Sequence, residues 1–415
     1  MRNLTAQIIE VILMRALSPL KKQLTIKTAS LLVLSSFVGN EVYAVDKGKF
    51  YGDFRLRFEE VQQNNPLEDA TGLTIRSRLG YITPSLSGFS AQIEIEDSRA
   101  LIDDFAVPPS NFNTGEFSVI ADPESNTEID QLLVKYKAGG FYGKLGRQVI
   151  VRDGQRFIGH VGFRQDRQTF DALSLGYDVG NGLSFKYAYI DQRNRIFSDD
   201  ADFDSEDHLL DASFKTSYGK FGAFAYLLEV DNDTDNGLDT YGISFNGATK
   251  FGDNKLSYSA ILATQESTSP DAEFDADYIS LEGKYKFAAP VWLKVGYELL
   301  GSDDGEFGFS TPLATLHKFN GFADVFLATP AQGIEDLYIG VGGKFSGFKW
   351  TAIYHDFSSE ESIEGSTDLG SEIDLVLVRP ITKQWVVGAK VALYDAGTAG
   401  QVDTDRFWLW ANFKF

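Results

Sequence analysis

Hydrophobic residues recur at every second position over most of this chain. The last nine residues show it best: Phe407, Leu409, Ala411, Phe413 and Phe415 alternate with Trp408, Trp410, Asn412 and Lys414. A period of two marks a β-strand with one apolar and one mixed face. Between Lys49 and Glu59, Phe50, Phe54, Leu56 and Phe58 lie opposite Asp53, Arg55, Arg57 and Glu59. From Leu73 to Thr83, Leu73, Ile75, Leu79 and Tyr81 lie opposite Arg76 and Arg78. Between Phe89 and Arg99, Phe89, Ala91, Ile93 and Ile95 lie opposite Gln92, Glu94 and Glu96. Val291, Leu293, Val295 and Tyr297 are set against Lys294 and Glu298 in the same way. Each segment is as long as a tilted strand needs to cross a bilayer, and the chain holds about 18 of them.

The connections alternate in length. Short turns fall at Pro84–Gly88, Ala138–Gly140, Val179–Gly182, Tyr218–Lys220, Phe251–Asn254, Ala288–Pro290, Ser346–Gly347 and Pro380–Gln384. Longer polar loops fall at Glu60–Thr71, Ala100–Thr127, Val151–Asp166, Asn194–Ser205, Val230–Leu238, Gln265–Ala276, Ser302–Glu335, Phe357–Asp368 and Asp395–Thr404. Short turns on one rim and long loops on the other predict an all-β, transmembrane, antiparallel up-and-down β-barrel. Both termini then lie on the short-turn, periplasmic rim. Arg55, Arg57, Arg76 and Arg78 must face a wet interior, because an arginine in mid-bilayer costs about 2–4 kcal/mol.

The N-terminal segment differs. Lys21, Lys22 and Lys27 lead into the apolar run Ala29 to Val38, and Val42-Tyr43-Ala44 carries small residues at cleavage positions. The expectation is a signal peptide over residues 1–44, its true start at Met14, and one barrel domain over 45–415. A Gram-negative outer membrane is the implied location, with its lipid and lipopolysaccharide as partners. The formal net charge of -21 argues against nucleic acid. The 415 residues include no Cys, which fits an oxidising periplasm.

Candidate chemistry lies in the arginines. Arg55, Arg57, Arg76, Arg78 and Arg99 cluster in the first three strands; Arg147, Arg152, Arg156, Arg164 and Arg167 follow. Guanidinium groups stay charged and grip carboxylates two-pronged. A lumen lined by them would guide anionic solutes; pairing with Asp53, Glu94, Glu96 and Asp171 would instead only stiffen the wall. The loop Ser302–Glu335 carries Phe307, Phe309, Phe319, Phe322 and Phe326, too many aromatics for a solvated loop, and is expected to fold into the lumen or over its mouth.

No catalytic constellation, metal-ligand spacing or cofactor motif emerges. The four histidines are His160, His208, His317 and His355; only His355 has a neighbouring carboxylate, Asp356, and adjacent strand residues point to opposite faces. Asp231, Asp233 and Asp235 imitate a calcium loop, but Asn236 and Gly242 replace its Gly and Glu. With Asp199, Asp200, Asp202 and Asp204 they read as a solvated acidic rim. Tyr51, Tyr136, Tyr142, Tyr187, Tyr285, Trp385 and Trp408 sit where interface girdles are expected.

Two blocks carry a family likeness. One runs from Gly146-Arg147-Gln148 through Asp153-Gly154-Gln155-Arg156-Phe157 and Gly162-Phe163-Arg164-Gln165 to Thr169-Phe170-Asp171; the other is His317-Lys318-Phe319-Asn320-Gly321-Phe322-Ala323-Asp324, followed by Thr329-Pro330, Asp336-Leu337-Tyr338 and Tyr354-His355-Asp356-Phe357. In these blocks the chain resembles the alginate export family of outer-membrane barrels. The resemblance implies an 18-stranded pore, an arginine-rich constriction, monomers rather than trimers, and Phe319, Asn320 and Asp324 in a constricting loop. The expected function is passive diffusion of hydrophilic, anionic solutes such as uronic acids, oligosaccharides or carboxylates. A cation-tolerant porin and a loop-plugged barrel are the alternatives.

Overall fold

A computed structural model describes residues 47–108, 111–198, 201–229, 236–269 and 272–415. The expected signal peptide, together with Asp199, Asp200, Asp231, Asp233 and Asp235, lies outside them. Eighteen strands form the wall. In chain order they are β1 (Lys49–Gln63), β2 (Ala70–Ile82), β3 (Phe89–Asp104), β4 (Ser125–Ala138), β5 (Phe141–Gln148) and β6 (Thr169–Gly180). Then come β7 (Leu183–Asn194), β8 (Phe203–Lys215), β9 (Lys220–Glu229), β10 (Gly237–Phe251), β11 (Asn254–Ser269) and β12 (Ala272–Lys286). The last six are β13 (Val291–Leu300), β14 (Ile334–Phe345), β15 (Phe348–Ile363), β16 (Ser366–Pro380), β17 (Trp385–Ala396) and β18 (Thr404–Lys414).

Each strand pairs antiparallel with the next, and β18 returns to β1 through pairs such as Phe54↔Phe413 and Arg57↔Trp410. Closure removes every sheet edge, which a bilayer demands because it offers no water to unpaired N–H and C=O groups. Phe50, Leu56, Ile93, Leu145, Ile243, Leu281, Ile339, Leu375 and Leu409 are exposed on the outside. Such a continuous apolar exterior would be a liability in water and is what hydrocarbon requires.

All eight short turns occur where the alternation places them, and two of the long loops do not. β11 continues to Ser269 and β12 already begins at Ala272, and β15 and β16 extend to Glu364–Gly365. Gln265–Ala276 and Phe357–Asp368 are therefore mostly strand. Above the bilayer both faces of a strand meet water, so a period-two signal vanishes although the ladder continues.

Three of the expected girdle aromatics point inward. Tyr51 lies directly opposite Gly80, and Tyr142 opposite Gly176, with each ring lying where a glycine β-carbon would be. Trp410 covers Gly388 and Tyr338 covers Gly296 in the same way. An aromatic laid over a cross-strand glycine shields bare backbone. Trp408 is fully buried in the lumen.

The lumen is not uniformly wet. Phe170, Ala188, Ile190, Leu209, Phe224, Tyr226 and Leu228 face inward from β6 to β9 and are buried. Loop residues inside the barrel cover them.

Candidate channel constriction

Two outer loops build the constriction inside the lumen, and Asp122 of the connection between β3 and β4 joins them. Residues 149–168 connect β5 to β6, and residues 301–333 connect β13 to β14; they are called the third and seventh loops. Phe157 of the third loop packs against Phe224 at 5.0 Å, Tyr278 at 5.2 Å and Phe309 of the seventh loop at 6.1 Å between ring centroids. The seventh loop thus packs in the lumen, where its phenylalanines escape water.

Wall side chains hold the third loop by its carbonyls. Arg55 donates to Phe163 O at 2.6 Å and Gly162 O at 3.0 Å, and Arg57 donates to Phe163 O at 2.5 Å. Arg55 also reaches Asn412 of β18 at 3.3 Å, so the tip of the third loop straddles the β1–β18 junction. Trp408 meets the Phe163 ring edge-on at 5.9 Å.

The two loops are joined through Asp324. This carboxylate accepts from Arg164 of the third loop and lies 3.6 Å from Arg406 of β18. Glu59 of β1 sits 3.5 Å from both arginines and 3.2 Å from Arg57, which also pairs with Asp122. His317 contacts Asp324 through Nδ1 at 2.7 Å and the Lys390 ammonium through Nε2 at 2.7 Å. Those contacts require a neutral imidazole that donates from Nδ1 and accepts at Nε2. Burial pushes His317 down to about 3, against the opposing pull of Asp324. Neighbouring Arg164 and His317 hold Asp324 well below the usual carboxylate range despite its burial.

Two more staples flank this one. Arg156 donates to Glu298 at 2.7 Å, Thr311 at 3.2 Å and Asn320 at 3.0 Å, while Asn320 donates back to Glu298 at 3.0 Å. Phe319 lies 4.7 Å from the same guanidinium. On β16, two strands from Arg406, the N–H groups of Ala323 and Phe322 donate to Glu372 at 2.8 Å and Asp374 at 3.2 Å: the carboxylates accept both. Gly321 allows this approach: its φ is 84°, and a β-carbon would collide with the Glu372 carboxylate. His355 bridges Asp336 at 2.9 Å and Asp374 at 3.6 Å, while Asp356 faces outward.

The other expected path arginines divide. Arg76 faces the lumen and binds Asp53 at 2.7 Å, leaving its Nε and Nη1 atoms without partners. Arg78 is taken up by Glu96, and Arg152 by Asp211 at 2.8 Å. Arg99 and Arg147 do not face the lumen. Arg99 shares the outer phase of Ile93 and Ile95 and pairs with Asp97 at 2.5 Å. Arg147 shares the phase of Leu145 and grips Asp171 two-pronged at 2.9 and 3.2 Å.

Reading arginines alone missed the lysines. Lys135, Lys144 and Lys186 share the lumen phase of Gln148 and Ser174 on β4, β5 and β7. Tyr142, Lys144, Gln148, Arg152, Ser174 and Lys186 help line a cavity of about 270 Å³ beside the third loop. No carboxylate pairs with Lys144 or Lys186 among the described residues. Strand phase was the available signal, since both lysines alternate with outward Leu145, Phe185 and Tyr187.

No family model matches the chain, and no curated relative does. Solved structures do match. OccAB4 of Acinetobacter baumannii superimposes with a TM-score of 0.74 at 11% identity, over 90% of this chain and 99% of that one. The fold is that of an outer-membrane porin. OpdK of Pseudomonas aeruginosa, solved with vanillate, matches at 0.69 and 13% identity, over 88% and 98% of the two chains. OccK9 (OpdG) of the same organism also matches at 0.69, at 14% identity over 89% and 98%. Identities this low carry the fold alone. The alginate-export likeness accordingly reduces, at this level, to the fold of an outer-membrane β-barrel porin.

Proposed function

We propose that this protein is an outer-membrane channel for passive diffusion of small hydrophilic anions, carboxylates first among them. The observation that carries this is a group of lumen-facing cations near the third loop, Arg55, Lys144 and Lys186, that have no carboxylate partner among the described residues. A carboxylate that sheds water in the narrow section regains charge-assisted hydrogen bonds from these groups. The likeness to OpdK, solved with vanillate, is consistent with a carboxylate cargo. The stapled third and seventh loops favour monomeric sugar acids and short oligomers over a polymer such as alginate. We read the chain as acting singly, its outer face dressed by lipid and lipopolysaccharide.

Reversal potentials across a planar bilayer in a KCl gradient test the proposal. The wild type should prefer chloride, and Lys144→Gln combined with Lys186→Gln should move the potential toward zero. A clear cation preference in the wild type would overturn it. A second reading, a barrel sealed by its own loops, draws support from the apolar packing of Phe157 and Phe309 in the lumen. Liposomes containing the protein that fail to swell in small carboxylates would favour that one.

A further inference from the structure

The periplasmic rim carries a second cationic surface, apart from the constriction and not needed by it. On β10–β15, Lys250, Lys255, Lys284, Lys286, Lys294, Lys344 and Lys349 all have lumen phase. That phase is fixed higher on the same strands by inward residues: Thr240, Gln265, Tyr278, Glu298, Asp336 and His355 are buried inside the barrel. Against these seven lysines the same rim sector offers two carboxylates, Glu282 and Asp253. Glu282 is engaged by Lys294 at 3.1 Å and by Tyr338 at 2.9 Å. Lys284 lies 3.8 Å from the Trp292 ring. Lys250, Lys255, Lys286, Lys344 and Lys349 are exposed and make no ion pair among the described residues.

The register makes this arrangement unusual. Lys250 is directly opposite Lys255, Lys255 is directly opposite Lys286, Lys284 faces Lys294, and Lys344 faces Lys349. Like charges set directly across a ladder are destabilising, and opposite charges at the same positions would be favourable. Four such pairs in one sector, in a chain whose net charge is -21, keep a repulsion that a counter-anion would relieve. Lys250, Lys255 and Lys286 form a row across three adjacent strands, so their stems start about 5 Å apart. Lipid headgroups outside the barrel are on the wrong face for side chains of lumen phase.

We propose that this lysine arc is a binding site for a soluble multivalent anion, bearing phosphate or clustered carboxylate groups, at the periplasmic mouth. Three ammonium groups at strand spacing match a chain of adjacent anionic groups and overmatch a single one. The site stands whether or not the constriction selects anions.

Tripolyphosphate tests it, with single channels in phosphatidylcholine bilayers at 0.1 M KCl. Added on the periplasmic side it should block current at a concentration at least tenfold lower than on the outer side. The substitution Lys255→Gln with Lys286→Gln and Lys349→Gln should raise the periplasmic half-blocking concentration at least tenfold; Lys255→Glu alone should do so if the triple variant fails to fold. The block should fade at 1 M KCl, where the screening length falls to about 3 Å. Equal block from both sides, block unmoved by both variants, or block indifferent to salt would overturn the proposal. Loss of the wild-type block on adding phosphatidylglycerol would also overturn it, by placing the lysines on lipid. The reversal potential of the same channels keeps the two proposals apart: a cation-selective channel with one-sided block sinks only the first, and an anion-selective channel without it sinks only this one.

Discussion

Asp324→Asn should release the seventh loop without unfolding the barrel. Asparagine keeps the volume and still accepts from His317, but it removes the charge that faces Arg164 and Arg406. Glu59 then remains the carboxylate 3.5 Å from both guanidiniums. Breaking a buried ion pair by removing one partner costs about 3–5 kcal/mol. That corresponds to a fall in the docked-to-released ratio of roughly 10²- to 10³-fold or more, at about 1.4 kcal/mol per decade. The loss falls on the loop because the wall ladder does not depend on Asp324. Lys318, beside the staple, reports the release: tryptic cleavage there tracks the open population when reclosing is fast, so it should quicken by roughly 10²-fold. Single-channel conductance should rise in parallel. Cleavage within threefold of wild type, in a protein that keeps its folded mobility on unheated gels, would refute the claim that Asp324 ties the loops together.

Four further outcomes follow from the geometry. Because His317 is depressed to about 3, the folded protein binds fewer protons than the released loop below the ordinary histidine range. Loop docking should therefore be intact above pH 6.5 and weaken as pH falls toward 3, as read by conductance, and His317→Gln should flatten that slope. Phe157→Ala should cost about 3–5 kcal/mol of loop packing and raise conductance noise, since Phe224, Tyr226, Tyr278 and Phe309 lose their common neighbour; a variant no noisier than the wild type would refute it. Gly296→Ala should drive a β-carbon into the Tyr338 ring and lower the urea midpoint, by about 1–3 kcal/mol of strain. Arg99→Ala should leave ion selectivity unchanged in reversal-potential measurements, because Arg99 lies on the outer face.

Much of the wall was legible because hydrocarbon enforces alternation. Phe50, Leu56, Ile93 and Leu409 face outward as their spacing requires. The same count already put Arg99 on the face of Ile95; reading it as a path residue followed its charge and ignored its phase. Alternation fails where it has no cause: above the bilayer, as at Gln265–Ala276, and at Ile190 or Leu228, where a loop makes the inner face apolar too. The loops were harder to read. The phenylalanines of the seventh loop signalled burial, but nothing local told Asn320 to meet Arg156, or Phe163 to meet Arg55, across 164 and 108 positions of sequence. Trp408 looked like a girdle residue because a tryptophan near a strand end says nothing about which way it turns.

The third loop touches both strands that meet when the cylinder shuts. Arg55 and Arg57 come from the first strand to be made, Trp408 and Arg406 from the last, and Phe163 lies among them. The seam and the seat of this loop therefore share the same side chains. With that loop drawn out, two guanidiniums and an indole would lose their shared neighbour, so the loop bolts the joint from within.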